Sequence, residues 1–287
     1  MCRKRISSLQ EYQERIREAK REGDTLSNCY LLPNALQEKI DQGTLYFQTL
    51  SQGLLLLDDR DTFFRCYYFL PETEKKMTPV ALEKDAVIEF PFQGKMNEKQ
   101  QRQVKMIEEL GFSLGRESSM MMRKGEREKR SAVQQQRGEG HELYSQKCSK
   151  QRQEIQYAQQ EDAEQILQLL CAAFDPLYSF LPSQKELWDK IEKRQVIAIH
   201  EGEQVTACLI SNFEKNKASI EQVVVSPQQR GRGWGKELLM MYHAKYAVEA
   251  SSFQHWVDIH NEPAVNMYVQ AGYEFQSRKA NEYIKRK

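Results

Sequence analysis

The sequence predicts a mixed α/β architecture in two tandem units, the second complete and the first degenerate. Three observations lead there. From Gln153 to Lys287, strand-like and helix-like periodicities alternate. Within that half, a β-branched strand runs into a proline, a glycine-rich loop and an amphipathic helix. Two short segments of the first half also reappear in the second, at offsets of 161 and 156 residues. A length of 287 residues has room for two domains of roughly 150 each. The hydrophobic fraction of 40% supports packed cores, and a net charge of +1 points to neither nucleic acid nor an anionic membrane as partner.

The basic start, Met1-Cys2-Arg3-Lys4-Arg5, leads into a polar helical stretch and not into the apolar run of a secretory leader. No stretch of about 18 apolar residues occurs, so no transmembrane helix is expected. The cysteines Cys2, Cys29, Cys66, Cys148, Cys171 and Cys208 are scattered, without C-x-x-C pairs or zinc-like spacing. Cys171 and Cys208 fall in apolar runs and read as small buried hydrophobes. A reduced, cytoplasmic protein is the expectation.

Residues 1–125 are taken as the first domain, 126–152 as a polar linker and 153–287 as the second domain. The linker is placed on the crowding of charged residues, Gln and Ser from Arg123 to Arg152, where apolar periodicity is lost. The second domain opens with a strand at Ile155–Ala158. Ile166, Leu169, Leu170, Ala173 and Phe174 then recur at helical spacing, with Asp162 ahead of them as a cap. A helix at Gln184–Lys193 leads to strands at Val196–His200, Val205–Asn212 and Ser219–Val225, with turns at Glu201-Gly202-Glu203 and near Lys215-Asn216. After Pro227 and the glycine loop, Leu238, Leu239, Tyr242 and Tyr246 mark a helix. A strand at Phe253–Ile259, a helix at Ala264–Ala271 and an extended tail complete the order. In the first half, Met106–Phe112 echoes Met267–Tyr273, and Arg65–Pro71 echoes Glu221–Pro227.

The chemistry concentrates in the run from Val223 to Lys236. Glycines at positions 231, 233 and 235 permit positive φ and leave backbone N–H groups uncovered. Together with the positive end of the helix that follows, such amides form a cradle for a diphosphate. The segment resembles the acetyl-CoA motif of the GNAT superfamily, Arg/Gln-x-x-Gly-x-Gly/Ala, which Arg230, Gly233 and Gly235 match. Downstream, Asn261, Ala264, Tyr268 and Gly272 fit the second motif of that family, Asn-x-x-Ala-x-x-x-Tyr-x-x-x-Gly-Phe, with Tyr273 where Phe is usual.

The resemblance implies a mixed-sheet GNAT acyltransferase fold in the second half, and two tandem GNAT-like domains overall, the N-terminal one degenerate. It implies an N-acetyltransferase that moves an acetyl group from acetyl-CoA to a primary amine of a small molecule, peptide or protein. The alternative is a non-catalytic acyl-CoA-binding regulatory module. By the resemblance, Val223 and Val225 would hold the pantetheine arm and the thioester carbonyl through their backbone. The amides of Gly231, Arg232, Gly233, Trp234, Gly235 and Lys236 would hold the diphosphate. Asn261 and Ala264 would line the pantetheine, and Arg230 and Arg232 would add side-chain contacts to phosphate. Acceptor pockets would come from about Phe174–Lys193, with Tyr178, Phe180 and Trp188 as an apolar wall, and from Ser277–Asn281.

Acyl transfer needs a neutral amine, and an amine of pKa about 10.4 is only on the order of one part in a thousand neutral at pH 7. Glu221 stands at a strand position that serves as the base in some family members, and period-2 alternation puts it on the face of Val223 and Val225. Tyr268 shares a helix face with Ala264, Met267 and Ala271 and is the candidate acid for the departing thiolate. His243, His255 and His260 do not share a face, and no metal is expected. In the first half, Ile107 stands in the place of Tyr268 and Arg65 in that of Glu221. Only about 15 residues separate Pro71 from the next strand, too few for a glycine loop and a four-turn helix. That half reads as a cap or interaction platform. The sequence admits a homodimer without specifying one.

Overall fold

The computed structural model describes residues 3–20, 25–72, 76–125 and 153–287. The linker expected at 126–152 lies outside them. The chain divides into two compact units: residues 1–118 with 277–287, and residues 119–276. Neither boundary follows the expected ones at 125 and 153. The reason is two long strands, β7 (Ser113–Lys124) and β13 (Glu274–Lys285), each of which begins in one unit and ends in the other. Arg123 and Lys124, the start of the polar stretch on which the linker was placed, belong to β7.

In the first unit, β1 (Arg3–Arg5), β3 (Leu45–Thr49), β4 (Leu54–Asp59) and β5 (Phe63–Pro71) run antiparallel in that order. Next, β6 (Asp85–Gln93) lies parallel to β5, and the end of β13 lies antiparallel to β6. A short strand, β2 (Thr25–Ser27), pairs with β5 as well. One face packs α1 (Leu9–Lys20) and α2 (Pro33–Gln42) through Ile16, Leu36 and Ile40. The other packs α3 (Glu98–Glu109) through Met106 and Ile107. An Asn97–Gln100 capping box starts α3, and Gly111 at φ +91° ends its turn.

The second unit repeats this order. Antiparallel β8 (Gln153–Tyr157), β9 (Val196–Glu201), β10 (Gln204–Glu214) and β11 (Lys217–Val225) are followed by β12 (Ser252–Asp258), parallel to β11. Lys215 and Asn216, both at positive φ, make the two-residue turn between β10 and β11. One face carries α4 (Ala163–Ala173) and α5 (Gln184–Glu192), and the other carries α6 (Trp234–Tyr246) and α7 (Glu262–Gln270). The units differ in one connection. The chain from β11 to β12 contains α6, whereas the described residues between β5 and β6 hold no helix. That agrees with the shortened connection read from the sequence.

Two local expectations change. Asp162 precedes α4, but its carboxylate accepts from the Gln159 amide at 2.8 Å and meets His200 Nε2 at 2.8 Å, and it makes no cap bond to α4. Cys208 is buried as expected, while Cys171 is exposed, because it lies just off the apolar stripe that buries Leu170. Among the described residues no helix is long and apolar enough to cross a membrane.

Candidate active site

The second unit's sheet opens where the chemistry was expected. β11 and β12 pair only over Lys217–Ile220 with Ser252–His255. Beyond that the strands part, and among the described residues the β11 edge that faced β12 has no strand neighbour at Val223–Val225. A β-bulge coincides with the parting: Gln222 opposes Ile210 and Ile220 opposes Ser211, so Glu221 is the extra residue.

This bulge overturns the expectation for Glu221, which does not share the face of Val223 and Val225. The inserted residue shifts the alternation by one. Val223 and Val225 pack toward α6 and α7, while Glu221 meets Lys190 of α5 on the other face, at 2.9 Å. Next to it, Gln222 Nε2 donates to the Phe180 carbonyl at 2.6 Å and ties down the loop between α4 and α5.

A cavity of about 990 Å³ begins at the parted strands, at the upper end of the roughly 300–1,000 Å³ usual for small-molecule sites. Val223, Val225, Arg230, Gly231, Gly233, Trp234, Gly235, Lys236, Asn261 and Ala264 all line it; Arg232 does not. Gly231 and Gly233 stand at φ +77° and +88°, and a Cβ built on either meets nothing within 4 Å. Gly233 is the N-cap of α6 and offers no side-chain cap, which leaves the Trp234 and Gly235 amides to a ligand, while the Lys236 amide donates to the Gly233 carbonyl at 2.9 Å. At Gly235 a Cβ would sit 2.7 Å from Met267 Sδ, so the Met267 thioether would have to shift to admit a side chain there. The Asn261 side chain caps α7 by accepting from the Ala264 amide at 3.3 Å. Arg230 Nε donates to the Val225 carbonyl at 3.2 Å, bracing the loop against the strand end.

Tyr268 occupies the centre of the α7 apolar face. Ala264, Met267 and Ala271 line the cavity, but Tyr268 does not; it is 2% exposed and packs against His255 at 4.4 Å between ring centroids. Burial, with the Tyr273 phenol adding to it, raises its pKa above the usual phenol value. Among the described residues, its hydroxyl has no hydrogen-bond partner.

Sequence reasoning missed part of the cavity lining: Arg123, Leu239, Met240, His243, Gln270 and Gly272. Lys236, Leu239, Met240 and His243 recur at i, i+3, i+4, i+7, a stripe that could have been found. Arg123 carried no local signal, being brought in by β7. Its guanidinium donates to His243 Nδ1 at 3.1 Å, so Nε2–H donates to the Tyr273 oxygen at 3.0 Å. Of the expected acceptor wall, Phe180 and Trp188 are exposed and Tyr178 is half-buried. The other expected acceptor segment, Ser277–Asn281, belongs to the first unit.

The three histidines have separate surroundings. His255 Nδ1–H donates to the Ile220 carbonyl at 3.2 Å, and the His260 amide donates to Asp258. Burial pushes the imidazoles of His243 and His255 down to about 4; for His243 the Arg123 guanidinium acts in the same direction. Both values lie below the ordinary value near 6.5. The unfolded chain therefore binds more protons than the folded one from about pH 6.5 down to about 4, and stability falls as pH drops through that window. Melting temperature is expected to fall from pH 7 to pH 5, and to fall less in His243→Gln, whose amide can still accept from Arg123. Equal slopes for the two proteins would remove His243 from the account.

The sequence model of the acetyltransferase (GNAT) family matches residues 163–273. Residues 163–273 are thus a GNAT-family segment. Among solved structures, a GCN5-related N-acetyltransferase from Sphaerobacter thermophilus superposes with a TM-score of 0.52 at 12% identity, covering 82% of this chain and 80% of that one. The GCN5-related glucosamine N-acetyltransferase region of a fungal multi-domain GH3 β-N-acetylglucosaminidase gives 0.52 at 10% identity, covering 81% of this chain and 31% of that one. At such identities the likeness shows a shared GNAT fold. No significant sequence match was found among curated proteins. The matched segment contains every catalytic and acetyl-CoA-binding candidate named from the sequence, but not the acceptor segment Ser277–Asn281.

Proposed function

We propose that the second unit is an N-acetyltransferase that uses acetyl-CoA and a primary amine carried by a small molecule or peptide. One observation carries the reading: an open strand edge, Val223–Val225, and an uncapped helix start at Gly233 lie in the same cavity. The first suits the amides of a pantetheine arm, the second a diphosphate. Asn261 and Ala264 flank the arm between them. In the transfer a C–N bond forms and the C–S bond breaks. The amine's proton leaves to a base or water, and the departing thiolate takes up a proton. Tyr268, kept protonated by burial, is the proposed donor. Glu221 is the proposed acceptor of the amine's proton, acting from the bulge beside Lys190.

The test is a panel of amines incubated with acetyl-CoA, reading free thiol. Thiol release that depends on one class of amine is the expected result. Tight acetyl-CoA binding with no amine-dependent release leaves the second reading, an acyl-CoA-binding regulatory module. That reading is favoured by the absence of both Tyr268 and Glu221 from the cavity lining.

A further inference from the structure

The parallel strands of the first unit part as those of the second do. β5 and β6 pair only over Phe63–Arg65 with Asp85–Val87. In the second unit the edge beyond the last pair is open, whereas here it is filled. β2 lies antiparallel on it, with Thr25 opposite Pro71, Leu26 opposite Leu70 and Ser27 opposite Phe69. Phe69 has Leu54 of β4 as its partner on the other side, so β2 occupies the edge turned toward β6. Directly after β2 comes Asn28, 8% exposed, whose carboxamide bridges the two parted strands. Its Oδ1 accepts from the Tyr68 amide at 2.8 Å, and its Nδ2 donates to the Glu89 carbonyl at 2.8 Å.

Counted from the last parallel pair, Tyr68 stands three residues on, as Val223 does on β11, where the count includes the bulged Glu221; the bulge moves the match one position from the sequence echo, which sets Tyr68 against Val224. Both pack on the face that holds the helix after the parallel strand, Tyr68 with Ile107 of α3 and Val223 against the cluster containing Tyr268 of α7.

We infer that Thr25–Asn28 fills, in the first unit, the groove that a pantetheine arm takes in the second, so that the chain binds a single acyl-CoA. The inference rests on the acyl-CoA reading of the second unit. A pantetheine arm is an extended chain bearing secondary amides, each with one N–H and one C=O. The Asn28 carboxamide offers the same two groups, one to each strand, and β2 supplies the extended chain. Being covalently attached, this occupant forfeits no translational freedom and cannot diffuse away. The surroundings close over it. The Tyr30 hydroxyl donates to Glu89 Oε2 at 3.0 Å, and Arg65 Nη1 donates to the same oxygen at 3.1 Å. With neither a glycine loop nor a helix among the described residues between β5 and β6, the anion cradle is missing as well.

The experiment uses the full chain. Calorimetry is expected to give one acetyl-CoA per wild-type chain and none for Gly233→Asp. Hydrogen exchange without ligand should find the Tyr68 amide protected, and Asn28→Ala should speed its exchange at least tenfold. Acetyl-CoA should slow exchange at Val223–Val225 and leave Tyr68 unchanged. Should Asn28→Ala not fold, Asn28→Asp keeps the acceptor for Tyr68 but has no donor for the Glu89 carbonyl, and is expected to melt at lower temperature than wild type. Two equivalents bound, one equivalent retained by Gly233→Asp, or Tyr68 protection that appears only with ligand would each overturn the inference. A wild type that binds no acetyl-CoA would end the acyltransferase reading instead, and Tyr68 exchange would still decide whether Asn28 closes the split.

Discussion

Replacing Gly233 with Asp is expected to abolish measurable acetyl-CoA binding while the second unit stays folded. Gly233 sits at φ +88°, where an L side chain is strained by roughly 1–2 kcal/mol. That strain is partly offset, since Asp tolerates the left-handed region and is a strong N-cap. Its Cβ meets nothing within 4 Å, so no neighbour has to move. The new carboxylate can accept from the first-turn amides of α6, the groups proposed to hold the diphosphate. It also places a negative charge beside a dianion, at about 1–4 kcal/mol per unit-charge pair at 4 Å for effective dielectrics between water and a protein surface. Competition and repulsion together predict an affinity loss of at least about a hundredfold, on a scale where tenfold is about 1.4 kcal/mol. Gly233→Asn separates the two effects, competing for the amides without charge, and should lose less. Calorimetry on both variants is the measurement. Unchanged binding by a folded Gly233→Asp would sink the cradle assignment.

Tyr268→Phe is expected to lower turnover by about 10²–10⁴, the usual range for a general acid, or roughly 3–5 kcal/mol of barrier. Coenzyme A is a fairly good leaving group, so the low end is the expected value. The fold should hold, because only a hydroxyl without a hydrogen-bond partner is removed from a ring packed between His255 and Tyr273. Acetyl-CoA affinity should change little, since Tyr268 does not line the cavity. The loss should shrink as pH rises past the thiol pKa, where the thiolate leaves without a proton. Pre-steady-state rates at several pH values would show it. A variant within about threefold of wild type at pH 7, with chemistry limiting, would return Tyr268 to the core.

The glycine loop and the helix start behind it were legible because their physics is local. A proline, alternate glycines and a helix start are contiguous, and ten of the eleven residues assigned to acetyl-CoA line one cavity, Arg232 excepted. The order of elements was legible for the same reason, since period and turn residues act within a few positions. What failed depended on partners distant in sequence. The bulge at Glu221 exists only in the register between β10 and β11, and no periodicity along β11 announces it. The apolar face of α7 was read correctly, but which of its residues look into the cavity and which into the core is decided by α6 and β12. Arg123 reaches His243 across 120 positions, through a strand whose end lies in a polar stretch without strand-like alternation. The bridge made by Asn28 needed both parted strands before it had any meaning.

The shared strands also set a timetable. β6 has the last residues of β13 as its antiparallel neighbour, from Ala86 opposite Lys285 to Gln93 opposite Arg278. During synthesis the first unit must wait for all of residues 119–276 before that neighbour leaves the ribosome. At about 5–20 residues per second, the delay is on the order of ten seconds. Through that interval β6 presents a bare edge to every other nascent chain, the situation that favours edge-to-edge aggregation. Translation speed through the second half, and chaperone capacity while it lasts, thereby become determinants of how much of this protein reaches its native state.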